Sequence, residues 1–142
     1  MARILIVDDE ASLAEVLGMF LRDCGHSVRT AVSAKRAMRT GSVFHPDVLI
    51  ADFCLLDDVD GGQLARALRE VNPELHVILI TGLLIEEVRD SVADISEIRL
   101  LGKPLDLDDV ERQVNELVGN EPAPSRRQRP TNGRLASSGK QS

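Results

Sequence analysis

The sequence contains no tryptophan, no tyrosine and only three phenylalanines among its 142 residues. A folded core must therefore be aliphatic, and no tyrosine hydroxyl can take part in function. Only two cysteines are present, which excludes a disulfide framework and makes the reducing cytoplasm the simpler expectation. No apolar run approaches the ~20 residues of a membrane span, and no signal peptide precedes the first predicted strand, so we expect no membrane association.

Positive charge is sparse in most of the chain and concentrated near its C-terminal end. Residues 1–118 carry 12 basic and 22 acidic side chains, whereas residues 119–142 carry five basic and one acidic. The acidic part is a poor general nucleic-acid binder, because phosphates would be repelled. Residues 119–142 have too little apolar surface to order themselves and are too few for a helix-turn-helix output domain. We therefore predict a folded domain at 1–118, a disordered basic tail at 119–142, and no DNA-binding domain.

Strand-like apolar runs alternate with amphipathic helical patterns along residues 1–118. This alternation is typical of a parallel sheet covered by helices on both faces, a doubly wound α/β fold. No G-x-G-x-x-G motif of the Rossmann fold follows the first strand, so we expect the five-stranded flavodoxin-like order 2-1-3-4-5. The predicted strands are Arg3–Val7, His26–Ala31, Asp47–Ala51, Leu75–Ile80 and Glu97–Leu101. The predicted helices are Glu10–Cys24, a helix capped by Ser33 that runs to Thr40 and is closed by Gly41, Gly61–Val71, Ile85–Ala93 and Asp106–Val118.

Polar residues follow the carboxyl ends of four of the predicted strands. Asp8 and Asp9 follow the first strand, Asp52 the third, Thr81 the fourth and Lys103 the fifth. In an open parallel sheet these ends meet at the edge where ligands bind. Because three clustered carboxylates repel each other unless a cation neutralises them, the pattern predicts a site for a divalent metal and a phosphoryl group.

In this order and spacing, Asp8-Asp9, Asp52, Thr81 and Lys103-Pro104 resemble the signature of bacterial response-regulator receiver domains, the CheY-like phosphoacceptors of two-component systems. The resemblance covers residues 1–118. It implies that Asp52 accepts a phosphoryl group from a sensor histidine kinase or a histidine phosphotransfer protein. It also implies a stand-alone response regulator that signals by phosphorylation-dependent protein binding or by phosphorelay. Such a protein is not an enzyme beyond self-catalysed phosphorylation and dephosphorylation.

The resemblance further implies Mg²⁺ as the cofactor. Its ligands would be Asp8, Asp9, Asp52 and the backbone carbonyl of Cys54, with Asp9 binding directly and Asp8 acting through water. Carboxylate and carbonyl oxygens are the ligands that Mg²⁺ prefers. From the residues alone, one of Asp8 and Asp9 is also expected to be the N-cap of the first helix.

Five further positions take their expected roles from the same resemblance. Lys103 would contact a phosphoryl oxygen, and Thr81 would donate its hydroxyl to the same group. Lys103-Pro104 resembles the cis turn of the family. Gly82 stands where most receivers carry alanine and would leave room beside the phosphoryl group. Leu100 stands where an aromatic residue usually rotates on activation, so we expect a subtler switch.

The loop after Asp52 departs from the family pattern. Leu56 replaces the usual proline, and the loop to Gly61 looks one residue longer than the commonest form. Its run Asp57-Asp58-Val59-Asp60 is either a solvated turn or a second metal site. The Cys54 thiol either flanks the phosphoryl site or is a small half-buried side chain.

An apolar run, Leu83-Leu84-Ile85, follows Thr81. With Leu100 and Leu105 it predicts a patch for an unknown protein partner on the face formed by the fourth helix, fifth strand and fifth helix, the α4-β5-α5 face.

Two other functions remain open from the sequence. A pseudo-receiver would bind partners without phosphorylation, which the altered loop and Leu100 favour and the intact acid set opposes. A metal-dependent phosphatase with an aspartate nucleophile would need a second acid near Asp52, and Phe53-Cys54 lacks it.

Overall fold

The computed structural model describes residues 1–119, which alternate strictly between strand and helix. The predicted tail, 119–142, lies outside the described residues apart from Gly119. Within residues 1–119, no helix combines the length and apolar character needed to cross a membrane. The strands are β1 (Arg3–Val7), β2 (Ser27–Ala31), β3 (Val48–Asp52), β4 (His76–Thr81) and β5 (Ile98–Gly102). The helices are α1 (Ala11–Asp23), α2 (Ala34–Phe44), α3 (Gly61–Val71), α4 (Ile85–Ser91) and α5 (Leu107–Val118).

The five strands form one parallel sheet in the order β2-β1-β3-β4-β5. The predicted flavodoxin-like fold is thus confirmed. The register pairs Asp52 with Ile80 and Thr81 with Gly102. The carboxyl ends of β3, β4 and β5 are therefore level, and the residues that follow them share one edge of the sheet.

The core is aliphatic on both faces of the sheet, as the scarcity of aromatic residues requires. Alternate residues of a strand point to opposite faces. Ile4 and Ile6 pack with residues of α1 and α5, while Leu5 and Val7 pack with residues of α2 and α3. These four side chains are almost fully buried. Burying each stabilises the fold by about 1.5–3 kcal/mol relative to exposure.

The helical periodicity identified the inward faces but overestimated their width. The spacing of apolar residues predicts that Val16 and Leu17 of α1 share an inward face; Leu17 is buried, but Val16 is 53% exposed. The same spacing predicts an inward Val71 in α3, and this residue is 63% exposed. In α1 the small residues Ala14 and Gly18 take inward positions. The buried stripe of α1 is therefore narrower than the apolar pattern predicts.

Helix α2 is longer than the sequence predicted. It continues to Phe44, and His45 ends it in the left-handed conformation with φ 55°. Gly41 is buried inside the helix, where an added Cβ would lie 2.8 Å from Cδ2 of Leu68 in α3. The glycine therefore permits close packing of α2 on α3 and does not terminate the helix. The predicted cap is confirmed, since Ser33 Oγ accepts a hydrogen bond from the backbone N–H of Arg36.

Candidate functional site

Three carboxylates converge at the edge of the sheet where β1 and β3 end. Asp8 and Asp9 follow β1, and Asp52 is the last residue of β3. Each offers one oxygen within 4.8 Å of the others. Asp8 and Asp52 are only 3% and 6% exposed, so their charges are largely removed from water. The structure thus brings together the acids that the sequence placed at strand ends.

Both oxygens of the Asp52 carboxylate accept a hydrogen bond. Oδ2 accepts from Lys103 Nζ at 2.8 Å, and Oδ1 accepts from the backbone N–H of Cys54 at 3.0 Å. Lys103 is fixed in turn by its backbone N–H, which donates to the Thr81 carbonyl at 2.8 Å. The hydrogen bond to Asp52 is the main reason that the pKa of Lys103 is raised. The lysine is therefore a cation held at the carboxyl end of β3, against the carboxylate of Asp52.

The environment of Asp8 raises the pKa of its carboxyl group. Burial raises the pKa of its carboxyl group, the nearby charges of Asp52 and Asp9 raise it further, and a hydrogen bond from the backbone N–H of Glu10 opposes the shift. That hydrogen bond, 2.8 Å to Asp8 Oδ1, does not make Asp8 a helix cap. The N-cap of α1 is Glu10, and it makes no side-chain capping hydrogen bond. The expectation that Asp8 or Asp9 is the N-cap was therefore wrong, because the turn after β1 is one residue longer than assumed.

The donor set fits a divalent cation that prefers oxygen ligands. Asp8, Asp9 and Asp52 supply only oxygen atoms, and the charge of Lys103 offsets one of the three negative charges. Partly buried like charges favour protonation of one member unless a cation is added. Burial is the main cause of the raised pKa of Asp8, and the like charges of Asp52 and Asp9 add to it. A cation with oxygen preference, such as Mg²⁺, would offset the repulsion among the three carboxylates.

Thr81 connects this cluster to the next loop. Its side chain is 1% exposed at the end of β4, and Oγ1 accepts the backbone N–H of Leu83 at 2.8 Å. Since the hydroxyl serves as the acceptor there, its own proton is free to be donated elsewhere. Gly82 lies beside Lys103, and a Cβ added to it would come no closer than 3.9 Å to Lys103 Cδ. The peptide bond between Lys103 and Pro104 is cis, as expected.

The apolar patch predicted after Thr81 is centred on two leucines. Leu83 is 50% exposed and Leu84 is 66% exposed. Leu100 is only partly exposed and packs against the core on the α2 and α3 face. Ile85 and Leu105 are partly buried. The exposed apolar surface therefore lies mainly in the loop between β4 and α4.

The acidic loop after β3 forms helix caps. The two carboxylate oxygens of Asp57 accept the backbone N–H groups of Ala34 (3.4 Å) and Lys35 (3.2 Å) at the start of α2. Asp60 caps α3 in a capping box with Gln63. Within residues 1–119, the acidic residues close enough to share a metal are Asp8, Asp9 and Asp52 alone. None of the loop acids, Asp57, Asp58 and Asp60, belongs to that cluster. The Asp-x-x-Gln spacing of Asp60 and Gln63 is the sequence signal for this cap.

Gly61 lets this loop pack tightly against the end of β3. A Cβ at Gly61 would lie 2.5 Å from the carbonyl oxygen of Asp52 and 3.0 Å from Cα of Phe53. Contacts this short are not sustained, so only glycine fits without moving the backbone. The Cys54 thiol beside it is exposed rather than half-buried.

Comparison with known proteins finds similarity to response regulators. The family model of the response regulator receiver domain matches residues 4–115. The transcriptional regulatory protein GlrR of Escherichia coli is 32% identical over 119 residues, which are 82% of this chain and 26% of that protein. The probable transcriptional regulatory protein TcrX of Mycobacterium tuberculosis is 36% identical over 66% of this chain and 38% of its own length. The chain thus spans well under half of the length of these relatives.

Solved structures give the same fold. A structure of NtrX from Brucella abortus in complex with ADP is 28% identical, with a TM-score of 0.76 over 83% of this chain and 27% of that one. A response regulator receiver domain protein from Clostridium thermocellum has a TM-score of 0.77 at 24% identity, over 84% of this chain and 95% of that one. At 24% identity, the similarity to the Clostridium thermocellum structure shows the fold alone.

Proposed function

This chain belongs to the response regulator receiver domain family of two-component systems, and we propose that it accepts a phosphoryl group on Asp52 in a Mg²⁺-dependent reaction. The donor in this proposal is a sensor histidine kinase or a histidine phosphotransfer protein. The phosphorylated form then signals through contact with a protein partner or passes the phosphoryl group on. The chain would act as a phosphoacceptor and catalyse only its own phosphorylation and dephosphorylation.

The observation that carries the proposal is the environment of the Asp52 carboxylate. It lies at a strand end, 6% exposed, with one oxygen bound by Lys103 Nζ and the other by the Cys54 backbone N–H. Two acids, Asp8 and Asp9, stand within metal-sharing distance. A carboxylate is a competent nucleophile for phosphoryl transfer when the charge of the incoming group is offset. Lys103, together with a cation held by Asp8 and Asp9, would offset that charge beside Asp52.

In the proposed reaction, an oxygen of Asp52 forms a bond to phosphorus while the P–N bond of the donor phosphohistidine breaks. The electron pair of that bond returns to the donor imidazole. Lys103 leaves Asp52 Oδ2 and donates to a phosphoryl oxygen, so its charge moves with the developing negative charge. Mg²⁺ held by Asp8, Asp9, Asp52 and the Cys54 carbonyl would supply charge neutralisation at the phosphoryl oxygens. The product is an acyl phosphate, whose lability suits a reversible signal.

Thr81 would couple phosphorylation of Asp52 to a change in the exposed loop that carries Leu83 and Leu84. Its hydroxyl oxygen holds the backbone N–H of Leu83, and its proton is available to a phosphoryl oxygen at Asp52. When Thr81 turns toward that oxygen, the Leu83 N–H loses its acceptor and the loop carrying Leu83 and Leu84 shifts. We propose that this loop and the adjoining α4-β5-α5 face bind the partner.

The proposal is tested by intact-mass measurement of the full chain with acetyl phosphate, with and without Mg²⁺. Wild-type protein should gain one phosphoryl mass only with Mg²⁺, and Asp52→Asn should gain none. Asp58→Asn, an exposed carboxylate in the neighbouring loop, is the matched control and should behave as wild type. Phosphorylation of Asp52→Asn, or no phosphorylation of wild type by either acetyl phosphate or phosphoramidate, would contradict the proposal. The second outcome would favour the pseudo-receiver alternative. That alternative is also favoured by Leu100, which packs against the core at the position where an aromatic residue is usual.

A further inference from the structure

A polar cavity of about 510 Å³ lies at the opposite end of the sheet from Asp52. It is formed where β1 and β2 begin, beside the last turn of α1 and the end of α2. Arg3 and Ser27, which are paired in the register of β1 and β2, mark its position. Its charged lining residues are all basic, and the lining consists of Arg3, Arg22, His26, Ser27, Val28, Arg29 and Phe44.

The positive charges of this cavity are not balanced by acidic side chains. Among residues 1–119, no carboxylate forms an ion pair with Arg3, Arg22 or Arg29. The Asp47 carboxylate accepts a hydrogen bond from the backbone N–H of Arg3 and forms no ion pair with its guanidinium group. Three guanidinium groups gathered without a counter-ion repel one another, although residues 1–118 have an excess of acidic side chains. A cluster of this kind favours an anion that supplies the missing charge.

The guanidinium groups are held in place by carbonyl groups and an aromatic ring. Arg3 Nε donates to the Phe44 carbonyl at 2.9 Å, and Arg22 Nη2 donates to the Val28 carbonyl at 3.1 Å. The guanidinium carbons of Arg3 and Arg29 lie 4.6 and 5.0 Å from the centre of the Phe44 ring. Because these contacts use only part of the donor capacity of an arginine, several N–H groups remain for a ligand.

His26 supplies the donor that distinguishes the cavity from a merely basic surface. It is 7% exposed, and its Nδ1 accepts the backbone N–H of Ala2 at 2.9 Å. The proton of the neutral ring is therefore on Nε2. Among the described residues, no protein acceptor meets this Nε2–H, although the side chain lines the cavity. Burial lowers the pKa of His26, which keeps the ring in this neutral form.

We propose that this cavity binds a small phosphorylated molecule, whose phosphoryl oxygens accept hydrogen bonds from His26 Nε2 and from the guanidinium groups of Arg3 and Arg29. Guanidinium forks match the geometry of phosphate oxygens. The volume is within the range of small-molecule sites, ~300–1,000 Å³. The His26 imidazole lies below the surface and lines the cavity, so a phosphoryl group that enters the cavity can reach it. The acidic excess of residues 1–118 also disfavours a long polyanion such as a nucleic acid.

The test is an NMR titration of the ¹⁵N-labelled full chain with inorganic phosphate and then with pyrophosphate. Mg²⁺ is omitted and sodium chloride holds the ionic strength constant. The imidazole resonances of His26 should shift saturably, whereas His45 and His76, the other two histidines, should not move. Arg29→Gln removes an exposed side chain with no hydrogen bond to preserve and should weaken binding at least fivefold. Arg39→Gln changes an exposed arginine of α2 that does not line the cavity and should leave binding unchanged.

Three results would overturn the proposal. The first is the absence of a saturable His26 shift with either anion. The second is a loss of binding in Arg39→Gln as large as that in Arg29→Gln, which would indicate general charge screening. The third is binding of an RNA oligonucleotide at His26 without binding of pyrophosphate, which would assign the cavity to a macromolecule. Shifts confined to Thr81 and Lys103 would count as the first result, because they would place the anion at the Asp52 edge. None of these outcomes depends on whether Asp52 is phosphorylated.

Discussion

The Lys103 ammonium donates a hydrogen bond to Asp52 Oδ2 across 2.8 Å, although the two residues are 51 positions apart and β4 lies between their strands. The contact forms because the carboxyl ends of β3, β4 and β5 are level. Within the described residues, Lys103 is also the cation that forms an ion pair with the acidic cluster. Its loss should therefore affect both the stability of the fold and phosphoryl transfer.

Lys103→Ala should retain the fold, because the side chain lies at the sheet edge. It should lower the free energy of unfolding by about 1 kcal/mol without Mg²⁺, as expected for loss of a partly exposed ion pair. It should also slow phosphorylation by acetyl phosphate, and Lys103→Arg should restore the stability better than the rate. Urea denaturation and intact-mass time courses measure the two effects. A wild-type rate in Lys103→Ala would reject the role of the ammonium in transfer.

Asp8→Asn should stabilise the metal-free protein at pH 7 by about 1 kcal/mol, because it removes one of three clustered charges. Asparagine keeps the oxygen that accepts the Glu10 N–H. The pKa of Asp8 is raised above 3.8 in the folded protein, so its ionisation costs stability as pH rises through the folded value. The advantage of Asp8→Asn should consequently vanish below pH ~3.8, where the carboxyl is protonated in both states. Thermal denaturation at several pH values checks this.

The same variant should lose much of the stabilisation that Mg²⁺ gives to the wild type, since binding to the folded state stabilises it by mass action. Asp58→Asn serves as the control, and its response to Mg²⁺ should match wild type. Equal stabilisation of Asp8→Asn and wild type by Mg²⁺ would remove Asp8 from the proposed metal site.

Gly61 and Gly82 offer a matched comparison at the edge of the site. Gly61→Ala places Cβ 2.5 Å from the Asp52 carbonyl oxygen, so the backbone must move, and we expect a loss of about 1–3 kcal/mol with slower phosphorylation. Gly82→Ala meets nothing closer than 3.9 Å and should change stability by less than about 0.5 kcal/mol. Chemical denaturation of both variants tests this. Equal stability of the two would show that the loop after Asp52 is not packed as described.

Leu84→Ser should leave stability almost unchanged, because the side chain is 66% exposed, but it should weaken partner binding. Leu100→Ala should cost about 1–2 kcal/mol through lost packing, with a smaller effect on binding. Amide NMR with beryllofluoride should place the largest shifts near Asp52 and in Thr81–Ile85, with smaller ones at Leu100. If Leu100→Ala alone abolished the partner response while phosphorylation stayed normal, the loop-centred switch would be wrong.

The sequence predicted the sheet and the converging site because both follow from short-range patterns. The bounds of β1 and α3 match the prediction, since apolar runs and a glycine mark them directly. Asp52, Thr81 and Lys103 each lie at the end of such a run. They come together because the carboxyl ends of the parallel strands β3, β4 and β5 are aligned. Knowledge of the strand order was therefore sufficient to place these side chains at one edge.

Other features depend on contacts between distant residues, which a local pattern does not encode. Gly41 looked like a helix terminator because its partner, Leu68 of α3, is far along the chain. The acidic run at Asp57 is typical of a solvated turn, yet Asp57 caps the start of α2 from the loop after β3. The exposure of Val16 depends on how α1 packs on the sheet, with Ala14 and Gly18 among its buried residues.

The most direct measurement of the central claim is chemical trapping of the acyl phosphate. Wild-type protein is treated with acetyl phosphate and Mg²⁺, reduced with borohydride, digested and sequenced by mass spectrometry. Borohydride converts a phosphorylated aspartate to homoserine and leaves free carboxylates unchanged. The account predicts homoserine at position 52, dependent on Mg²⁺, and unmodified aspartate at positions 8, 9, 57, 58 and 60. Homoserine at one of those positions, with Asp52 unmodified, would contradict it.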